Sequence, residues 1–202
     1  MRIVFAVCLI IATFLTHAQT NVESDPNQVI HSVSVNTFAR INADKEKLQA
    51  QPDHIRVIIE EQLIPYFDYK FAAYKVMGSH LKNTTREQRD QFVEAFKTYL
   101  INAYGHILFE YDQQEVEILD NRHFQGKRII TIPVKIRDKN DNITQIAFKL
   151  RKNKKTGEWK VFDVIAEGIS MLDTKQSELN ELIHKHGVDY VITLLEKKNS
   201  EF

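Results

Sequence analysis

The side chains with an evident capacity for chemistry in this 202-residue chain are eight histidines, one cysteine and a few acidic residues in apolar surroundings. His184 and His186 are two apart, a spacing that on a helix points them away from each other rather than at one metal ion. No H-E-x-x-H pattern occurs, and the lone Cys8 excludes both a disulfide framework and a cysteine-based zinc site. The six glycines are well separated, and none sits in a phosphate-cradling loop or a G-x-S-x-G nucleophile turn. No metal and no cofactor is therefore expected. Glu60 and Glu61 are adjacent on a predicted helix and must diverge. That leaves Asp163 and Glu167, which lie in an apolar strand-to-turn segment. An apolar pocket around them would raise a carboxyl pKa and make an acid–base pair. The simpler reading is a turn carboxylate bonded to nearby backbone or to a lysine.

A second cluster is basic. Lys149, Arg151, Lys152, Lys154 and Lys155 surround one predicted hairpin tip. Lysines on an exposed strand discourage edge-to-edge pairing. The same charges would also steer a protein toward anionic lipid or an acidic partner. Overall the chain is balanced, with 27 basic and 27 acidic residues, which excludes a general nucleic-acid binder. Its 43% hydrophobic content suits one globular domain with a substantial core.

The chain opens as an export signal. Arg2 is followed by an uncharged apolar run of 13 residues, Ile3 to Leu15, and then by Thr16-His17-Ala18. The run is shorter than the roughly 20 residues that span a bilayer, so residues 1–18 read as a cleaved signal peptide. Cleavage removes Cys8 and Arg2, leaving a thiol-free domain over 19–202 with 26 basic and 27 acidic residues, suited to the periplasm.

Helical periodicity governs the first half. Val29, Val33, Phe38, Ile41 and Leu48 predict a helix over 27–49. Asp53 is placed to cap a second, with Ile55, Ile58, Ile59 and Leu63 as its stripe up to a break at Pro65. An aromatic segment over 66–77 ends at Gly78. Thr84-Thr85 followed by Glu87-Gln88 has capping-box spacing and opens the longest helix, about 26 residues or 39 Å, to Tyr111. The period then falls to two. Strands are expected over 115–119, 128–137, 144–151 and 158–164, forming a four-stranded antiparallel meander. Leu179, Leu182 and Ile183, then Val191, Leu194 and Leu195, line two terminal helices separated by Gly187. This order implies an α+β fold with helices packed on one face of a curved sheet.

The apolar residues divide by origin. Phe67, Phe71, Val76, Met77, Phe92, Phe96, Tyr99, Leu100 and Tyr104 come from helices. Ile130, Ile132, Val134, Ile136, Phe148, Leu150, Phe162 and Val164 come from strands. They form either a filled core or the walls of a cavity between the layers.

The segment from Trp159 to Ser170, WKVFDVIAEGIS, resembles the signature of the MlaC family of periplasmic phospholipid-binding proteins, the auxiliary components of toluene-tolerance transport systems. Leu63-Ile64-Pro65-Tyr66 resembles the family's Leu-Leu-Pro element and Val76-Met77-Gly78 its Val-Leu-Gly. Thr85-Arg86-Glu87-Gln88-Arg89, with Phe92, Phe96, Leu100 and Tyr104, is similar to the opening of its long helix, and Thr174-Lys175-Gln176 to the stretch before its last helices. The likeness runs over about 27–198. It departs at His80-Leu81, where the family often carries a bulky aromatic.

The resemblance implies a fold akin to nuclear transport factor 2, with no enzymatic activity. It also implies a carrier that shuttles glycerophospholipid between outer and inner membranes and maintains outer-membrane asymmetry. The implied partners are an outer-membrane lipoprotein–porin complex and an inner-membrane ABC transporter with a substrate-binding ring. Two acyl chains hold about 30 methylenes at about 0.8 kcal/mol each, so their exposure to water costs on the order of 20 kcal/mol. On this reading the residues just named line a pocket for the tails. A charge at Ile132, Phe148 or Phe96 should then abolish lipid binding without unfolding the chain. A pocket enzyme using Asp163 or Glu167, and an adaptor with a filled core, are the competing readings.

Overall fold

Seven α-helices and five strands are present in the computed structural model, which describes residues 25–110, 115–120 and 123–201. The expected signal peptide lies outside the described residues, as does Tyr111. Helix α1 (Pro26–Ala43) begins where Asp25 accepts a hydrogen bond from the Asn27 amide and Pro26 supplies a ready-set φ. The single helix expected over 27–49 is two, because the chain breaks at Asp44 before α2 (Lys45–Ala50). Helix α3 (His54–Gln62) follows with Asp53 at its N-cap position as expected, although the Asp53 side chain makes no capping bond. Pro65 ends this run in a short 3-10 turn, Ile64–Tyr66.

Helix α4 (Tyr69–Met77) starts later than the aromatic segment suggested, because Asp68 accepts the Phe71 amide and sets the boundary. Gly78 closes it at φ +54°, ψ −126°, a conformation that a side chain resists. A Cβ there would also lie 3.0 Å from Gln176 Nε2. The long helix α5 (Arg86–Phe109) opens with the predicted capping box, Thr85 and Gln88 each bonding the other's backbone amide. At 24 residues it is slightly shorter than its stripe implied.

Strands β1 (Glu115–Ile118), β2 (Ile129–Arg137), β3 (Ile143–Lys152), β4 (Trp159–Ala166) and β5 (Ile169–Ser170) form one antiparallel meander in chain order. The expected count of four omitted β5. It is only two residues long, and a turn with positive φ at Glu167 and Gly168 folds it back on β4. Ile132 pairs with Phe148, and Phe148 with Val164, which fixes one apolar face. A register shift between Lys149 and Leu150 disturbs the β3–β4 ladder: Lys149 opposes Asp163 but Leu150 opposes Val161. The residue left over is Phe162. Such a bulge re-aims side chains, and Phe162 joins the helical core instead of the sheet's apolar face.

Ser170 caps α6 (Met171–His186) by accepting the Asp173 amide, and Gly187 at φ +85° turns the chain into α7 (Val188–Ser200). The interior has three parts. One cluster is held by α4, α5, α6 and α7, another joins α1–α3 to α5, and the third lies on the sheet beneath the first turn of α1. Phe67 packs against both the helical and the sheet clusters. There its amide neighbour Asp68 donates to the Val161 carbonyl, bringing the helices alongside β4.

Candidate functional site

An apolar cavity of about 300 Å³ lies between α4, α5, β4 and α6. Its depth is formed by Ala72, Phe96, Leu100, Phe162, Asp163 and Leu172, all buried. Its mouth is marked by lining residues that solvent reaches: Ile107 is 63% exposed, Met171 42%, and Thr174 is also exposed. One α5 stripe makes both a core and a wall. Phe92 and Phe96 stack in the helical layer, whereas Ala103, Tyr104 and Ile107, farther along the same face, open on the cavity.

The structure brings together seven of the residues that sequence reasoning assigned to a pocket: Phe67, Phe96, Tyr99, Leu100, Tyr104, Phe162 and Val164 line this cavity. The others do not reach it. Val76, Met77 and Phe92 have no exposure and fill the helical core, and Phe71 packs edge-on to Phe162 behind the wall. Ile130, Ile132, Val134, Ile136, Phe148 and Leu150 belong to the separate sheet cluster. A charge at Ile132, fully buried in close packing, would therefore threaten the fold itself, correcting the expectation of a selective effect. The same holds for Phe96, only 1% exposed. Period two identifies which strand residues point inward, but not that the chain keeps its inward faces in separate clusters.

Sequence reasoning missed Ala72, Ala103, Ile107, Met171, Leu172, Thr174 and Lys175. A signal for three was present, since Ala103 and Ile107 continue the α5 stripe and Leu172 follows the Ser170 cap. Small size made Ala72 and Ala103 easy to pass over, yet a small residue in a wall is what leaves room.

Asp163 is 2% exposed and lines the cavity, but it holds structure together. It accepts the Ser170 hydroxyl at 2.7 Å and the Leu172 amide at 3.0 Å, and Lys149 Nζ stands 3.7 Å away. It thus fastens the start of α6 to β4. Glu167 is exposed on the β4–β5 turn, outside the cavity lining, so the two carboxylates do not share a pocket. Tyr104 stays a neutral phenol: burial pushes its pKa well up, and the Asp163 charge adds to the effect. The basic cluster at the hairpin also divides. Arg151 pairs with Asp68 at 3.2 Å and stacks on Phe71, Lys149 faces Asp163, and Lys154 and Lys155 remain at the exposed tip. No group of three or more His, Cys, Asp or Glu side chains suited to a metal occurs among the described residues.

Comparison with known proteins places this cavity in a wider context. The chain is 30% identical over 193 residues to the intermembrane phospholipid transport system binding protein MlaC of Haemophilus influenzae, covering 95% of this chain and 90% of that protein. It is 25% identical over 165 residues to the toluene tolerance protein ttg2D of Pseudomonas putida, covering 81% and 75% of the two chains. Its fold superposes with a TM-score of 0.79 on a phospholipid-binding protein from Ralstonia solanacearum, solved in complex with a phospholipid. That match is 20% identical and covers 88% of this chain and 98% of the other. The MlaC protein family model matches residues 31–197, and with that extent of agreement in sequence and fold this chain belongs to the MlaC family.

Proposed function

We propose that this protein is a periplasmic carrier that takes glycerophospholipid by its acyl chains and shuttles it between the outer and inner membranes. The observation that carries the reading is the apolar cavity between α5, β4 and α6, with exposed Ile107 and Met171 at its mouth, in a chain of this family. Residues 1–18 act as the export signal, and no helix among the described residues is long and apolar enough to cross a membrane. The fit of Asp163 to the α6 amide and Ser170 favours a carrier over an acid–base enzyme.

Size adds a mechanical requirement. An engineered apolar cavity of about 150 Å³ holds one benzene, so 300 Å³ accommodates part of an acyl chain and not two complete tails. Loading therefore widens the seam between α5 and α6. Spontaneous release of both tails into water is prohibitive at on the order of 20 kcal/mol. Transfer accordingly occurs while docked to a partner that offers its own apolar path. The expected donor and acceptor are an outer-membrane lipoprotein–porin complex and an inner-membrane ABC transporter bearing a substrate-binding ring.

Organic extraction and mass spectrometry of the purified protein test this directly. Stoichiometric diacyl lipid is expected, whereas an unrelated metabolite or an empty protein would overturn the reading. Ala103→Trp, which adds bulk to a partly open wall position, should cut co-purified lipid severalfold while leaving the circular dichroism unchanged.

A further inference from the structure

The carrier reading concerns tails, and the cavity also contains one group suited to the other end of such a ligand. Of the described residues lining it, only Asp163 and Lys175 are charged. Asp163 lies deep and is already satisfied by the Ser170 hydroxyl and the Leu172 amide, with Lys149 beside it. These bonds also occupy the α6 start, since Ser170 takes the Asp173 amide, so the helix terminus is not itself open to an anion. Lys175 stands one turn further along α6, beside exposed Thr174, with its side chain 21% exposed.

Lys175 is held in a way that permits exchange. Its Nζ is 2.6 Å from Glu178 Oε2 and lies 4.9 Å from the centre of the Tyr99 ring. Burial alone would lower its pKa, but bonds to Glu178 and Tyr99 outweigh that and keep it raised, so the group is a cation at neutral pH. An ammonium has three donors, and Glu178 accepts one while the Tyr99 ring lies beside the group. Glu178 in turn has a second cation, Lys198, 4.0 Å from its other oxygen. If Lys175 swung toward an anion in the mouth, Glu178 would keep a counter-charge.

Resting on the carrier reading, we propose that Lys175 is the headgroup residue: it meets the anionic phosphodiester at the cavity mouth, and Glu178 holds it in reserve when the cavity is empty. The pair then sets a preference for phosphate-bearing lipids over neutral ones of equal tail length. Because the pair is partly solvated, its effect is modest beside that of the tails.

The test is calorimetric titration of the delipidated chain with dihexanoyl phosphatidylglycerol and with dihexanoylglycerol, which has the same tails and no phosphate. Lys175→Gln should weaken the phospholipid about fivefold and leave the neutral lipid within about twofold, while Lys175→Arg restores most of the loss. Glu178→Gln, which removes both the competitor and a repelling charge, should tighten the phospholipid about twofold. Equal loss for both lipids in Lys175→Gln, no loss for either, or weakening by Glu178→Gln would each overturn the assignment. Competition by excess inorganic phosphate would also overturn it, by marking a site for the free anion. A wild-type chain that bound neither lipid would instead bring down the carrier reading beneath it.

Discussion

The helical layer and the seam between helices and sheet are built from the same long helix, yet one is solid and the other hollow. Where α5 meets α4 and α7, Phe92, Val93 and Phe96 interlock with Val76, Met77, Val191 and Leu195, all buried. Farther along, α5 faces β4 and the start of α6, and a cavity of about 300 Å³ remains. Two helices close on each other because ridges of similar spacing fit into grooves. A helix beside a strand joins periods of 3.6 and 2, and here Ala72 and Ala103 add little bulk to the joint. Void space collects where two packing systems meet.

Truncation experiments sharpen this contrast. Phe92→Ala, in the solid layer, should cost about 3–5 kcal/mol of unfolding free energy, the range for deleting an aromatic from a rigid core. Ile107→Ala, at the exposed mouth, should stay within about 0.5 kcal/mol. Denaturant unfolding followed by circular dichroism checks both. If Phe92→Ala proved as mild as Ile107→Ala, the helical layer would be loosely packed and the contrast would fail.

The junction between the two regions depends on Asp163. Asp163→Ala leaves the Ser170 hydroxyl and the Leu172 amide without their acceptor, at a cost of about 1–3 kcal/mol. The loss should be local. Hydrogen exchange at Leu172 and its neighbours should accelerate more than exchange in the middle of α5. Equal acceleration in both places would mean that Asp163 supports the whole fold and not the start of α6.

What the sequence discloses follows the same division. The helical stripes, the capping box at Thr85 and the alternation in β2 and β3 are local patterns, and each appears close to where it is expected. The α+β class follows from their order. Three features depend on contacts between distant segments and leave little local trace. Strand β5 is too short to display a period. The bulge that turns Phe162 from the sheet toward α4 arises only when β3 pairs with β4. The division of the apolar residues into three clusters is also invisible to periodicity, which marks an inward face but not what it meets. For that reason residues as alike in pattern as Ile132 and Val164 end in different places, one in the sheet cluster and one at the cavity.

A third region, the corner of α1 and α3, is tied by charge and offers the finest test of what holds each part. Arg40 pairs with Asp44 and with Glu61, each at 2.8 Å, and His54 lies 2.6 Å from Asp44. Hydrogen bonds from His54 and then Arg40 hold the Asp44 carboxyl below its ordinary value of 3.8. A depressed carboxyl pKa contributes stability that is present above the unfolded-state value and disappears as pH falls through the folded-state one. Asp44→Asn should therefore lower the melting temperature near neutral pH, by about 2 °C or less because solvent screens the pair. The gap between variant and wild type should close in acid, below the usual carboxylate range. The described core of the helical layer around Phe92 is a cluster of buried apolar side chains, so Phe92→Ala should keep its full deficit over the same titration. A gap at Asp44 that persisted unchanged into acid would show that this corner, too, is held by packing.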